Sequence, residues 1–129
     1  YDGQKRPVPP KVAELLGQPL LPVCPEQLGG LPTPRPACDL SGGDGRALLA
    51  GKAGAVGRDD HIDRTDAYRS GALPVAELAQ ALGVRRALLK TKSPSCGVTK
   101  CYCDGRIISG MGACAAALAA LGIALEEAD

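Results

Sequence analysis

Phenylalanine and tryptophan are absent from this chain, and tyrosine occurs three times in 129 residues. A core without large aromatics must come from Leu, Val, Ile and Ala, which favours helices packed closely on a sheet. The same absence weakens any case for nucleic-acid binding, because few rings are available to stack on bases. Excess charge is lacking too: 15 basic against 14 acidic residues leave a net charge of +1, with no basic block to track phosphates. The single histidine, His61, stands in the charged stretch RDDHIDR, where solvation is its expected state. That leaves no Cys–His pair of the kind that activates a thiol hydrolase. Neither a P-loop nor a G-x-G-x-x-G fingerprint occurs, so nucleotide-phosphate binding has no motif behind it. The longest apolar run, Ala113 to Leu121, is too short to cross a bilayer. Six cysteines are present, but their spacing matches no small secreted scaffold, and a cytoplasmic setting with free or metal-bound thiols is expected.

Proline is plentiful but unevenly placed. Nine of the eleven prolines fall within the first 36 residues, so the first half reads as loop-rich and the second as carrying most regular structure. A short helix is expected over 11–16 and a short buried strand over 20–23. Residues 23–36, VCPEQLGGLPTPRP, hold four prolines and the pair Gly29–Gly30, and read as a shaped loop, neither helix nor central strand. Residues 41–60 read as irregular, with a short strand over 46–50. A helix capped by Asp63 or Thr65 should run to Leu82, with a kink or restart at Gly71 and Pro74. Strands are expected near 86–90 and 106–109, a small-residue buried helix over 110–122, and an edge strand over 123–128. This order predicts a single α/β domain of three layers, a mostly parallel sheet with flanking helices.

In such sheets ligands bind at loops beyond the carboxyl ends of strands. Two proline-stiffened loops, LPVCPE and KSPSCG, each follow an expected strand and each carry a cysteine, Cys24 and Cys96. Rigid loops suit a metal or nucleophile site, because the ordering cost is met before binding. Glu26, two residues after Cys24, is a candidate acid or base, and equally a solvated loop carboxylate. Ser93 and Ser95 flank Pro94 and can donate to a substrate or close a turn. Cys101 and Cys103 form a C-x-C pair that would share one face of a strand; Cys38 lies near the first loop, and Cys114 reads as packing. From the residues alone the chemistry stays open. The alternatives are a catalytic site, a zinc- or sulfur-binding module using some of Cys24, Cys38, Cys96, Cys101 and Cys103, and a carrier with a persulfide on Cys96.

Taken together, YDG at 1–3, LLPVCPEQLGGLPTPR at 20–35, LLKTKSPSCG at 88–97, Asp104–Gly105, the G-x-G at 110–112 and the small-residue helix ending in Gly-Ile resemble the bacterial thiouracil desulfidase family. The resemblance spans essentially the whole chain. It implies an enzyme with a 4Fe-4S cluster on three cysteines, one iron being left open for the sulfur of a thiolated uracil, which water replaces without net redox change. Carried over, it implies Cys24 and Cys96 as cluster ligands, Glu26 as the group that activates water or shuttles protons, and Ser93 as a hydroxyl assisting at the substrate. A small thiolated nucleobase is the implied partner. The family's first ligand stands in an A-C-L-L-G-type stretch just before YDG. Residues 1–129 are therefore expected to form one such domain lacking a short N-terminal stretch, or to use Cys38, Cys101 or Cys103 instead.

Overall fold

Proline and glycine set the boundaries of most elements in the computed structural model, which describes residues 1–129. The helices are α1 (Pro10–Ala13), α2 (Pro25–Leu28), α3 (Gly45–Leu49), α4 (Thr65–Ala81) and α5 (Ala113–Ala120). The strands are β1 (Cys38–Ser41), β2 (Gly54–Gly57), β3 (Arg86–Leu89), β4 (Lys100–Cys103), β5 (Arg106–Ser109) and β6 (Ala124–Glu127). β2, β1, β4 and β5 form one sheet in that order, and β3 pairs with β6 in a second. A bridge between Lys92 and Cys101 connects the two.

This is an α/β domain, but its sheet is mixed and not mostly parallel. β1 runs parallel to β4, with Leu40 opposite Cys103, and β3 runs parallel to β6. β2 is antiparallel to β1 and β5 is antiparallel to β4. The β4–β5 reversal has a local cause. Asp104 and Gly105 both sit at positive φ, 49° and 77°, the pairing that a two-residue hairpin turn demands. A turn that short joins only antiparallel strands.

Other expectations shift for equally local reasons. Leu20 to Val23 form no strand and are largely exposed, because Pro19 and Pro22 remove donors from a stretch that short. The loop thought incapable of helix contains α2, with Pro25 at its first position. Proline is tolerated there because that N–H has no helical partner anyway. Residues 46–49 belong to a helix instead of a strand, with Ala50 as its C-cap: Asp44 Oδ1 accepts from the Ala47 N–H at 3.1 Å and starts α3. α4 is one helix through both Gly71 and Pro74, not two segments. β1, unforeseen, forms from CDLS.

The core lies on the face of the sheet that carries Cys38, Leu40, Cys101 and Cys103, against Tyr68, Ala72 and Val75 of α4 and Cys114 and Leu118 of α5. Apart from Tyr68 it has no aromatic ring, as the composition requires, and four of its members are cysteines. Helices α2 to α5 flank the sheet and pack on one another, α4 against α2 and α5, and α5 against α3. The opposite face carries Asp39 and Tyr102, with the Arg58 guanidinium 4.9 Å from the Tyr102 ring centroid and 2.6 Å from Asp39. No helix is long and apolar enough to cross a membrane.

Asp44 also accepts from the Met111 N–H at 3.3 Å, which ties α3 to the segment leading into α5. Asp44→Ala should therefore cost about 1–2 kcal/mol of stability. The check is the urea midpoint, and an unchanged midpoint would mean that the cap carries no weight.

Candidate active site

Cys24 occupies the N-cap position of α2 in extended conformation, with φ −120° and ψ 110°. Its carbonyl accepts from the Leu28 N–H at 3.0 Å, so the turn fixes its backbone. α2 is seated on α4 by two glycines. A Cβ on Gly29 would lie 2.0 Å from the Ala67 carbonyl oxygen, and one on Gly71 would lie 1.8 Å from that of Pro25. Backbone meets backbone at both places, and only glycine permits that approach.

The second cysteine loop is held by α5. The N–H of Ala113 donates to the Pro94 carbonyl at 2.8 Å, and those of Cys114 and Ala115 donate to the Ser95 carbonyl at 2.8 and 3.1 Å. The first N–H groups of a helix lack partners within it, and here the SPSC loop supplies them. Gly112 lets the two backbones touch, since a Cβ there would fall 2.4 Å from the Ser95 carbonyl carbon. Within the loop, the Ser93 hydroxyl oxygen accepts from the N–H groups of Ser95 and Cys96, both at 3.1 Å.

Glu26 joins the two loops. One carboxylate oxygen accepts from the Ser95 hydroxyl at 2.7 Å, and the other accepts from Arg35 Nε at 2.5 Å. Ser95 is 2% exposed. Arg35 Nη2 lies 3.5 Å from the Cys24 sulfur. Desolvation works against the Arg35 cation, but the hydrogen bond and charge of Glu26 outweigh it and hold its pKa above the usual value.

Cys24, Glu26, Ser93 and Cys96 all line one cleft of about 700 Å³, with Arg58 and Tyr102 also in its wall. A more open groove of about 880 Å³ near the start of α4, lined by residues such as Lys52, Thr65 and Arg69, contains no thiol. Cys38 also reaches the cleft wall. Cys101 and Cys103 do not. They point into the core from one face of β4, and burial pushes the Cys101 thiol up to about 11. Cys114 is 1% exposed in the core. Burial, followed by the charge of Cys24, pushes its thiol up to about 12. Cys96 is part-exposed as a residue, yet desolvation, then the charges of Cys114 and Glu26, raises its thiol pKa while Ser93 opposes the shift. His61 is exposed and absent from the cleft wall. All six cysteines are free thiols, and no three cysteine, histidine, aspartate or glutamate side chains converge closely enough to hold one metal ion.

The family model for 2-thiouracil desulfurase matches residues 1–129. The chain belongs to the 2-thiouracil desulfurase family. In Bacillus subtilis strain 168, the uncharacterized protein YbbK is 38% identical over 98 residues, which are 74% of this chain and 64% of YbbK. The chain thus spans less than two thirds of that relative. Among solved structures, the 4Fe-4S-dependent thiouracil desulfidase TudS superposes with a TM-score of 0.79 at 35% identity, over 98% of this chain and 80% of that one.

Within this family member, the geometry separates two serines that the sequence named together and adds a residue that it did not single out. Ser95, not Ser93, is the hydroxyl bonded to Glu26. Arg35 is the cation beside both Glu26 and Cys24. The available signal was that Arg35 is the only cation in the fourteen residues that hold Cys24 and Glu26.

Proposed function

We propose that this protein removes sulfur from a thiolated pyrimidine of the 2-thiouracil kind in an iron–sulfur-dependent reaction. Water exchanges for sulfur: the thiocarbonyl becomes a carbonyl and hydrogen sulfide leaves. Sulfur keeps its oxidation state throughout, so no electron donor is consumed. The observation that carries this reading is the meeting of Cys24, Cys96 and Glu26 in one cleft of a chain that belongs to the family.

The donor chemistry suits the cofactor. Thiolates are the soft ligands that iron–sulfur clusters take, and Cys24 and Cys96 would hold two of its irons. When bound, a cluster with an open iron supplies a thiophilic Lewis acid for the thiocarbonyl sulfur. The remaining work falls to the chain. Glu26 keeps lone pairs beyond those given to Arg35 and Ser95, which suits it to take a proton from the attacking water and return it to the leaving sulfide. Ser93 accepts two N–H groups on its oxygen, so its own proton remains to donate toward Cys96 or a substrate carbonyl. The Arg58–Tyr102 stack offers a flat wall for a planar ring.

The test is anaerobic reconstitution with iron and sulfide, followed by 2-thiouracil. Uracil and sulfide should appear in equal amounts with no added reductant. Protein that retains iron but releases no sulfide would overturn the reading. Elemental analysis showing zinc in place of iron in protein purified without air would favour a binding module instead.

A further inference from the structure

We propose that Arg35 is a positioning residue, one that fixes the Glu26 carboxylate and the Cys24 sulfur in a single geometry at the cleft. Its role in catalysis rests on the desulfuration reading; its grip on Glu26 does not.

The guanidinium is a buried cation whose side chain is 7% exposed. Such a charge persists only if its donors are matched. Nη1 donates to the Pro32 carbonyl at 3.1 Å and to the Thr33 hydroxyl at 2.8 Å. These bonds fasten the fork to its own loop, and the Arg35 N–H donates to the Tyr1 carbonyl at 2.8 Å. With one nitrogen so anchored, the planar group has no freedom to rotate. Its other two nitrogens face Glu26 Oε2 at 2.5 Å and Cys24 Sγ at 3.5 Å. Glu26 is then gripped from opposite sides, by Arg35 on its own loop and by Ser95 on the other. The path Cys24–Arg35–Glu26–Ser95 crosses from one cysteine loop to the other. A lysine has the charge and three donors, but on one nitrogen, so it cannot hold carboxylate and sulfur in the same relative positions while also keeping the anchors at Pro32 and Thr33.

Two measurements decide it. In reconstituted Arg35→Lys, kcat for 2-thiouracil should fall about 30-fold, as expected for a displaced catalytic group. KM should stay within about twofold, and iron content and the electron paramagnetic resonance spectrum of the reduced protein should match the parent. In Arg35→Ala, added guanidinium should restore part of kcat. An unchanged kcat in Arg35→Lys overturns the proposal. So does iron loss in step with activity, which would make Arg35 a structural clamp. Should Arg35→Lys not fold, Thr33→Val removes one anchor of the fork and should lower kcat about threefold with iron retained. The second measurement is a double-mutant cycle of Arg35→Lys with Glu26→Gln, read by chemical denaturation. Coupling of at least about fivefold in the folding constant supports the grip, and additive effects overturn it. Wild-type protein without sulfide release sinks the desulfuration reading and the catalytic role together, while the cycle still decides whether Arg35 holds Glu26.

Discussion

Cys96→Ser is expected to give a folded protein that retains less than about a tenth of the parent's iron and releases no measurable sulfide from 2-thiouracil. The fold should survive because the change is small and the loop is held by others. Ser93 receives the N–H groups of Ser95 and Cys96, and the Pro94 and Ser95 carbonyls remain bonded to the start of α5. The chemistry should not survive. A serine oxygen is a hard donor that stays protonated near neutral pH, whereas iron in a cluster takes thiolate. The electrostatics of the site sharpen the contrast. Desolvation and the neighbouring charges of Cys114, Glu26 and Cys24 all oppose a negative charge on Cys96. Such a thiol gives up its proton when a bound cation compensates, which couples proton release to loading.

Cys114→Ser is the informative control, because Cys114 sits in the first turn of α5 with its N–H bonded to the Ser95 carbonyl of the same loop, yet its side chain lies in the core. It should keep its iron and lose about 1–2 kcal/mol through a buried hydroxyl in α5. Iron by elemental analysis and unfolding by circular dichroism separate the two variants. Equal iron loss in both would remove the distinction between ligand and packing cysteine on which the site assignment rests.

The cysteine loops were legible because their punctuation is local: proline and glycine on both sides of Cys24, proline and glycine around Cys96. What tertiary structure decides was not. Nothing in SPS distinguishes Ser93 from Ser95. The difference is that Ser95 turns toward α2, while Ser93 folds back on its own loop. Arg35 was invisible for the same reason, since its worth lies in partners nine and eleven residues away that only α2 brings back. Proline was misjudged in one direction only. Read as a helix breaker at Pro25, it is a helix starter, and α2 is what aims Glu26 into the cleft. The mixed sheet could have been read from Asp104–Gly105, a strong hairpin signal that lay between two stretches of strand-forming residues.

Gly71→Ala is expected to destabilise the protein by about 3 kcal/mol or more, against the direction that helix propensity gives. Position 71 lies inside α4, where alanine is favoured over glycine by about 1 kcal/mol in an isolated helix. In the folded chain the new Cβ would stand 1.8 Å from the Pro25 carbonyl oxygen, 2.7 Å from its carbon and 3.0 Å from the Gly29 nitrogen. All three atoms are backbone, so no side chain can swing aside, and α2 must lift off α4. Glu26 rides on α2, and its 2.7 Å bond to the Ser95 hydroxyl and the placing of Cys24 in the cleft that Cys96 also lines depend on where α2 sits. Stability and iron retention should therefore fall together in this variant. Leu73→Ala, on an exposed part of the same helix, should change stability by less than about 1 kcal/mol and leave iron unchanged. Urea midpoints and iron content measured on both variants provide the check. A Gly71→Ala protein as stable as its parent would mean that α2 is not seated on α4, and Glu26 would then have no fixed distance from the loop that carries Cys96.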